Sequence, residues 1–154
     1  MSGQQELQAL SQQLQEIEGE IEQLQANVES IRQEQSDADE AIGAIETLET
    51  DSVVQVPLGG GAYVRATIDE IDEIIVELGA DYAAEFEQEG AMEALENKKE
   101  RLDDRIDEVN EQISELEAES SQIEQRAQQM QQQQMQQQMQ QMQGQQGQGP
   151  GPDQ

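Results

Sequence analysis

Two runs of apolar residues at heptad spacing constrain this chain more than any other feature. Within each run the positions advance in alternating steps of three and four, which is typical of a helix that buries a narrow stripe against another helix. The first run comprises Leu7, Leu10, Leu14, Ile17, Ile21, Leu24, Val28, Ile31, Gln35, Ala38, Ile42 and Ile45. The second run comprises Met92, Leu95, Lys99, Leu102, Ile106, Val109, Ile113, Leu116, Ser120, Ile123, Ala127 and Met130.

The two runs match each other when the chain is folded back on itself. Leu7 then lies opposite Met130 and Ile45 opposite Met92, and the residue numbers of every facing pair add up to 137. No position needs a shift, so the pattern predicts an intramolecular antiparallel coiled coil about 58 Å long. Polar Gln35 and Lys99 occupy two neighbouring layers, where we expect them to help set the register. A parallel homodimer is the alternative, but it would leave the intervening segment interrupting the coiled coil.

The intervening segment, Val53 to Phe86, has the alternation and turn residues of β-hairpins. A β-branched run is followed by three glycines and an alternating strand, and a second unit turns at Gly79–Asp81. The predicted fold class is α+β and mostly α: a long antiparallel coiled-coil hairpin with two β-hairpins between its helices. The predicted segments are an N-terminal helix over 1–52, paired β-hairpins over 53–88 and a C-terminal helix over 89–133.

The two β-hairpins are short, and an isolated hairpin is marginally stable in water. We therefore expect other subunits to complete the sheet and cover its apolar face. A self-contained four-stranded sheet is the alternative. The predicted oligomerisation residues are Val54, Val56, Val64, Ile68, Ile74, Val76 and Phe86.

Composition excludes several classes of function. Hydrophobic residues make up 34% of the chain, and cysteine and histidine are absent, which removes thiolate and imidazole chemistry. No nucleophile–base pair stands out and the glycine run lacks the lysine of a phosphate-binding loop, so we predict neither an enzyme nor a bound cofactor or metal. No apolar run suits a membrane span or a signal peptide, and we expect a cytoplasmic protein without a membrane partner.

The chain is strongly acidic, with 35 acidic and seven basic residues and a net charge of −28. Such a surface repels nucleic acid. Because the acid is spread along the chain and not concentrated in one tail, and because lysine is nearly missing, we expect a cytoplasm at molar salt, where the Debye length falls to about 3 Å. A chaperone of basic proteins or a nucleic-acid mimic is the alternative.

The last predicted segment, 134–154, consists mostly of glutamine, methionine, glycine and proline. Low-complexity composition of this kind predicts a disordered tail. Its methionines offer an adaptable apolar surface for a partner. Alternatively the tail is an inert solubilising extension, or its thioethers bind Cu(I).

The middle segment also carries a family resemblance. The stretch from Val56-Pro57-Leu58-Gly59-Gly60-Gly61 to Ala66, followed by Ile74-Ile75-Val76-Glu77-Leu78-Gly79-Ala80-Asp81-Tyr82-Ala83, resembles the archaeal prefoldin α subunit. The heptad runs match too, so that the resemblance covers about Leu7 to Met130. Two hairpins instead of one point to the α type, and the acidity points to a halophile.

The resemblance implies an ATP-independent chaperone that holds unfolded proteins at its coiled-coil tips. Two α subunits and four β-type subunits would form a hexamer through their hairpins and pass clients to a group II chaperonin. A structural coiled-coil adaptor without client binding is the alternative function. We expect clients to bind apolar residues at the free helix ends and in the tail, namely Leu7, Leu10, Ala127, Met130, Met135, Met139 and Met142.

Overall fold

The computed structural model describes the backbone of residues 3–147 and the side chains of residues 3–144. Two long helices enclose four short strands along the chain. The predicted fold class, mostly α with two β-hairpins between two helices, is confirmed. The elements are α1 (Gly3–Thr47), β1 (Val53–Gly59), β2 (Ala62–Thr67), β3 (Ile74–Gly79), β4 (Tyr82–Phe86) and α2 (Gln88–Gly147).

Helix α2 extends further than its sequence predicted. Disorder was expected from residue 134, but the helix continues to Gly147. Glutamine and methionine both have high helix propensity, and after Ala127 no glycine interrupts the pattern before Gly144. The predicted boundary at 133 is therefore wrong, and the remainder of the predicted tail, 148–154, lies outside the described residues.

The chain divides into two compact parts, the first formed by residues 3–26 together with 110–147. In this part Ile17 and Ile113 are buried, and the other heptad positions are half-buried. The backbone of Gly3 lies directly against the side chain of Gln134. That contact fits the predicted register, since 3 and 134 also add up to 137.

The second compact part comprises residues 27–109 and holds most of the buried side chains. Here the side-chain amide of Gln35 crosses from α1 to α2, where it donates to the Lys99 carbonyl oxygen at 3.1 Å and to Asp103 Oδ1 at 2.6 Å. An apolar cluster forms where the strands meet the helices, from Ala38, Ile45, Val76, Ala91 and Leu95. Helix ends and β3–β4 thus share one core.

Gln88 connects the two helices at that core. Its Nε2 donates to the carbonyl oxygens of Ile45 at 2.7 Å and Leu48 at 3.0 Å, which satisfies acceptors that the end of α1 leaves unpaired. The backbone N–H of Gln88 in turn donates to Asp72 Oδ1 at 3.4 Å. One residue therefore begins α2 and caps α1.

The strands form two separate antiparallel pairs, hairpin 1 (β1–β2) and hairpin 2 (β3–β4). In hairpin 1, Val56 faces Val64, and in hairpin 2, Val76 faces Ala84. A single four-stranded sheet within the chain, the alternative raised from the sequence, is wrong.

Candidate functional site

Hairpin 1 exposes apolar side chains on both of its faces. On the face predicted for oligomerisation, Val56 and Val64 are 41% and 45% exposed, whereas Val54 and Ile68 are half-buried. The opposite face and the turn present further exposed apolar residues, Val53, Leu58 and Tyr63. A monomer of this size rarely leaves so much apolar surface together, so hairpin 1 is a candidate contact surface.

Hairpin 1 is held to the rest of its compact part through its base. Beyond the last ladder pair, the N–H of Ile68 donates to the Ser52 carbonyl oxygen, and the N–H of Asp51 donates to the Ile68 carbonyl oxygen, both at 2.8 Å. The N–H of Ile71 donates to Thr50 Oγ1 at 3.2 Å. These bonds fix where the hairpin begins while leaving its strands uncovered.

Hairpin 2 packs its apolar face inside the chain. Val76 is 5% exposed, and Ile74 and Phe86 pack against the same cluster at the helix ends. These three residues were predicted to contact other subunits, but the structure places them against the chain's own helices. Contacts that hairpin 2 makes with another subunit can use its outer face and its two strand edges.

Two exposed apolar residues of hairpin 2 are missing from the predicted list of oligomerisation residues, Ile75 on the outer face of β3 and Tyr82 beside the turn. Ile75 is 72% exposed and Tyr82 is 74% exposed. The signal was present in the sequence, because the consecutive apolar residues Ile74, Ile75 and Val76 break a simple alternation. A strand with apolar residues on both faces is typical of one that is covered on both sides.

The two turns share one geometry with different residues. Gly60 and Gly61 have φ of 60° and 80°, and Ala80 and Asp81 occupy the matching positions with φ of 50° and 62°. Left-handed backbone is readily adopted by glycine and, less well, by aspartate, whereas alanine is strained there. Hairpin 2 therefore tolerates strain that hairpin 1 avoids.

The predicted client-binding residues at the helix ends fall into two sets. Leu7, Leu10, Ala127 and Met130 are half-buried at heptad positions. Met135, Met139 and Met142 are 65%, 65% and 69% exposed. Their spacing of four and three places all three on one side of α2, and we refer to them as the Met stripe.

The polar layer in the second compact part centres on Lys99. Its ammonium group donates to Asp39 Oδ1 and lies 3.7 Å from Glu96 Oε2. The hydrogen bond to Asp39 raises the pKa of Lys99 above its ordinary value, and the nearby charges of Asp39 and Glu96 add to this effect. Lys99 is therefore charged near neutral pH, where it pairs with Asp39 of the facing helix.

Beside this layer a groove of about 650 Å³ lies at the tip of hairpin 2. Its floor is apolar, and opposite charges line its sides, Glu34 and Asp37 from α1 and Lys98, Arg101 and Arg105 from α2. Lys98 Nζ donates to the Glu77 carbonyl oxygen at 3.2 Å. Hairpin 2 therefore contacts the helices through this hydrogen bond as well as through apolar side chains.

Among residues 3–147, no helix has a stretch long and apolar enough to cross a membrane. The surfaces described above are instead two β-hairpins and a helical Met stripe.

Comparison with known proteins relates these features to one family. The family of prefoldin subunits matches residues 17–145. The chain is 66% identical over 97 residues to the prefoldin subunit alpha of Halorubrum lacusprofundi, covering 63% of this chain and 64% of that protein. It is 63% identical over 68 residues to the prefoldin subunit alpha of Haloarcula marismortui, covering 44% of each. In both comparisons the matched region spans less than two thirds of the relative.

A solved structure agrees with the fold. The chain is similar to the filamentous PFD from Methanocaldococcus jannaschii determined by cryo-EM, with a TM-score of 0.50 and 26% identity over 76% of this chain and 93% of that one. The resemblance to the archaeal prefoldin α subunit, inferred from the hairpin sequences and the heptad runs, is confirmed, and the Halorubrum and Haloarcula relatives both come from halophilic archaea, as the acidity indicated. With its paired hairpins between two long helices and a family match over residues 17–145, this chain belongs to the prefoldin family of subunits.

Proposed function

We propose that this chain is an α-type subunit of a cytoplasmic, ATP-independent chaperone that holds unfolded proteins and delivers them to a group II chaperonin. The observation that carries the proposal is the position of its exposed apolar residues. They lie at hairpin 1, at Ile75 and Tyr82 of hairpin 2 and along the Met stripe, in a chain that is rich in carboxylates. The hairpin residues serve assembly and the Met stripe serves clients.

Assembly uses hairpin 1 and the outer face of hairpin 2. A two-stranded sheet consists of two edges, and each edge presents backbone groups that can pair with a strand of another subunit. Val54, Val56, Val64 and Ile68 then become buried against β-type subunits, together with Ile75 and Tyr82. We infer a hexamer of two α and four β subunits, in which Ile74, Val76 and Phe86 support hairpin 2 from its inner face.

Clients bind at the helix ends. The half-buried residues Leu7, Leu10, Ala127 and Met130 become accessible when α1 and α2 separate locally near the start of α1, and the Met stripe is accessible already. Methionine side chains adapt to irregular partners, which suits unfolded chains of varied sequence. Each buried side chain contributes about 1–3 kcal/mol. Several subunits acting on one client raise the total through effective concentration.

A truncation tests the proposal. Removing the residues before Leu14 and those after Ile123 deletes all seven client-binding residues and leaves both hairpins intact. We expect the truncated chain, coexpressed with a β-type subunit in molar KCl, to form a complex with an unchanged subunit ratio. We also expect suppression of the aggregation of a chemically denatured protein to fall several-fold at equal complex concentration.

A matched pair of variants separates the Met stripe from the bulk of the extension. Replacing Met135, Met139 and Met142 with glutamine removes the stripe, and replacing Gln133, Gln137 and Gln140 with alanine alters the opposite side of α2. We expect reduced holding only for the first variant. Full protection by the truncated complex would contradict client binding at the helix ends and place the client site elsewhere on the subunit. Absence of protection by the complex of the full chain would favour a structural adaptor.

A further inference from the structure

The charges of this chain are absent around the Met stripe. The sequence has 35 acidic residues, yet from Ala127 to Pro152 it has no charged residue at all. In the facing start of α1, residues 3–15, the only charged residue is Glu6. Gly3 and Gln134 are in contact, so these two weakly charged stretches belong to the same end of their compact part.

Glutamines surround the stripe instead of carboxylates. Helical spacing places Gln132 and Gln143 on one flank of the stripe and Gln138 on the other, and all three are exposed. An amide side chain can donate and accept hydrogen bonds, so it can pair with the backbone of an unfolded segment. Losing water costs an amide far less than it costs a carboxylate.

High salt does not make a surface of glutamines equivalent to a surface of carboxylates for a client. At molar salt the Debye length is about 3 Å, and the long-range repulsion between two acidic chains is screened. A carboxylate beside an apolar contact must still lose water when a client covers it, and a client carboxylate at contact distance still repels it. An acidic client therefore meets the smallest penalty where this chain has amides.

We propose that the segment Ala127–Gly144 is a binding surface for unfolded segments that are themselves acidic, which the remainder of this acidic chain repels. The inference rests on the proposed client-binding function and specifies its substrate class. The Met stripe supplies apolar contact, and the uncharged flanks allow a negatively charged client to approach it. Basic segments can bind the carboxylate-rich surface elsewhere and depend less on this one.

Three flank substitutions test the inference while leaving the stripe intact. Gln132→Glu, Gln138→Glu and Gln143→Glu together add three carboxylates beside it, and the same positions changed to lysine add three ammonium groups. Both residues have helix propensities close to that of glutamine, so circular dichroism should show unchanged helix content. A control places three carboxylates at the exposed positions Gln23, Gln25 and Gln112, which already lie among acidic residues.

The probes are two labelled peptides that share one apolar core, flanked by four aspartates or by four lysines. Binding to the full chain in complex with a β-type subunit is measured by fluorescence anisotropy in molar KCl. We expect the glutamate variant to bind the aspartate-flanked peptide about tenfold more weakly and the lysine variant to bind it more tightly. The affinity for the lysine-flanked peptide should change several-fold less with the glutamate variant. The control with substitutions at Gln23, Gln25 and Gln112 should leave the affinities for both peptides unchanged.

The outcomes separate this inference from the proposed function. If replacing the Met stripe with glutamine weakens both peptides and the flank variants change neither, clients bind the stripe without charge selection, and the inference is overturned. If the stripe variant also leaves both peptides unaffected, client binding at the helix end is itself wrong. An equal loss of both peptides with the glutamate variant would indicate a damaged surface and would likewise overturn charge selection.

Discussion

Hairpin 1 and hairpin 2 have the same local design and opposite environments. Each pairs two strands through a two-residue turn with left-handed backbone, and each has an irregularity one step before the turn. In hairpin 2 the inner face packs on the helix ends, and Val76 is 5% exposed. The corresponding pair in hairpin 1, Val56 and Val64, remains more than two fifths exposed.

This difference teaches that strand pairing and face burial have separate causes. Turn residues and alternation are enough to form each hairpin. The helices of the same chain supply a cover for one hairpin only. Contact with another subunit should therefore stabilise the uncovered hairpin more, because covering its valines removes apolar surface from water.

The largest effect should come from a charge on the covered face. Val76→Asp would bury an unpaired carboxylate in the cluster of Ala38, Ile45, Ala91 and Leu95, at a cost of about 3–5 kcal/mol. We expect loss of hairpin 2 and a strongly lowered unfolding midpoint in urea for the chain alone. Ile75→Asp on the outer face is the control, and it should leave that midpoint nearly unchanged. Equal midpoints for both variants would mean that hairpin 2 is not packed on the helices.

The matching change on hairpin 1 should prevent assembly and leave the stability of the isolated chain nearly unchanged. Val64→Asp places the charge on a side chain that is 45% exposed, so the isolated chain should lose less than about 0.5 kcal/mol. In the complex the same carboxylate would be buried without a partner, and light scattering should show no hexamer. A normal hexamer of this variant would exclude hairpin 1 from the interface.

Salt should distinguish the two hairpins next. In the proposed complex, two copies of this chain, each of charge −28, repel each other more strongly as screening decreases. The core that holds hairpin 2 consists of apolar side chains and does not depend on screening in this way. On dilution of KCl we expect dissociation at a higher salt concentration than loss of helix and strand content. Light scattering and circular dichroism on the same samples measure the two transitions. Coincident transitions would contradict separate stabilisation.

The turns offer a smaller and more local comparison. Ala80→Gly should relieve the left-handed strain at φ 50° and stabilise hairpin 2 by up to about 1 kcal/mol. Gly60→Ala should introduce the same strain into hairpin 1 and cost about 1 kcal/mol. Hydrogen exchange of the strand amides reports each hairpin separately. Protection that moves in the same direction in both variants would show that the turns are not equivalent.

The smallest effect concerns pH and the Lys99 layer, which lies outside both hairpins. Because the pKa of Lys99 is raised in the folded chain, its contribution is complete below its ordinary value of 10.5 and is lost as pH rises through the raised value. We expect this contribution to stay constant with pH near neutrality, and we expect stability to decrease slightly above about pH 10.5. Lys99→Gln should remove that alkaline decrease in urea titrations, and an unchanged decrease would assign it to other groups.

Sequence reasoning succeeded where a pattern reflects a short-range constraint. The heptad positions from Leu7 to Met130 are buried or half-buried, because a helix can bury only the stripe that its period aligns. Low complexity predicts disorder from residue 134, whereas α2 continues to Gly147, because glutamine and methionine are good helix formers. The consecutive apolar residues around Ile75 indicate a second apolar face of β3, which simple alternation does not predict.

The sequence by itself determined the two helices, the register between them, the positions of both turns and the uncharged surroundings of the Met stripe. Each of these follows from the spacing or chemistry of residues along the chain. Only the tertiary structure decided that Ile74, Val76 and Phe86 are covered by the chain's own helices while Val56 and Val64 are not. Alternation shows that a strand has an apolar face, but burial depends on which elements approach that face, and those elements are distant in sequence.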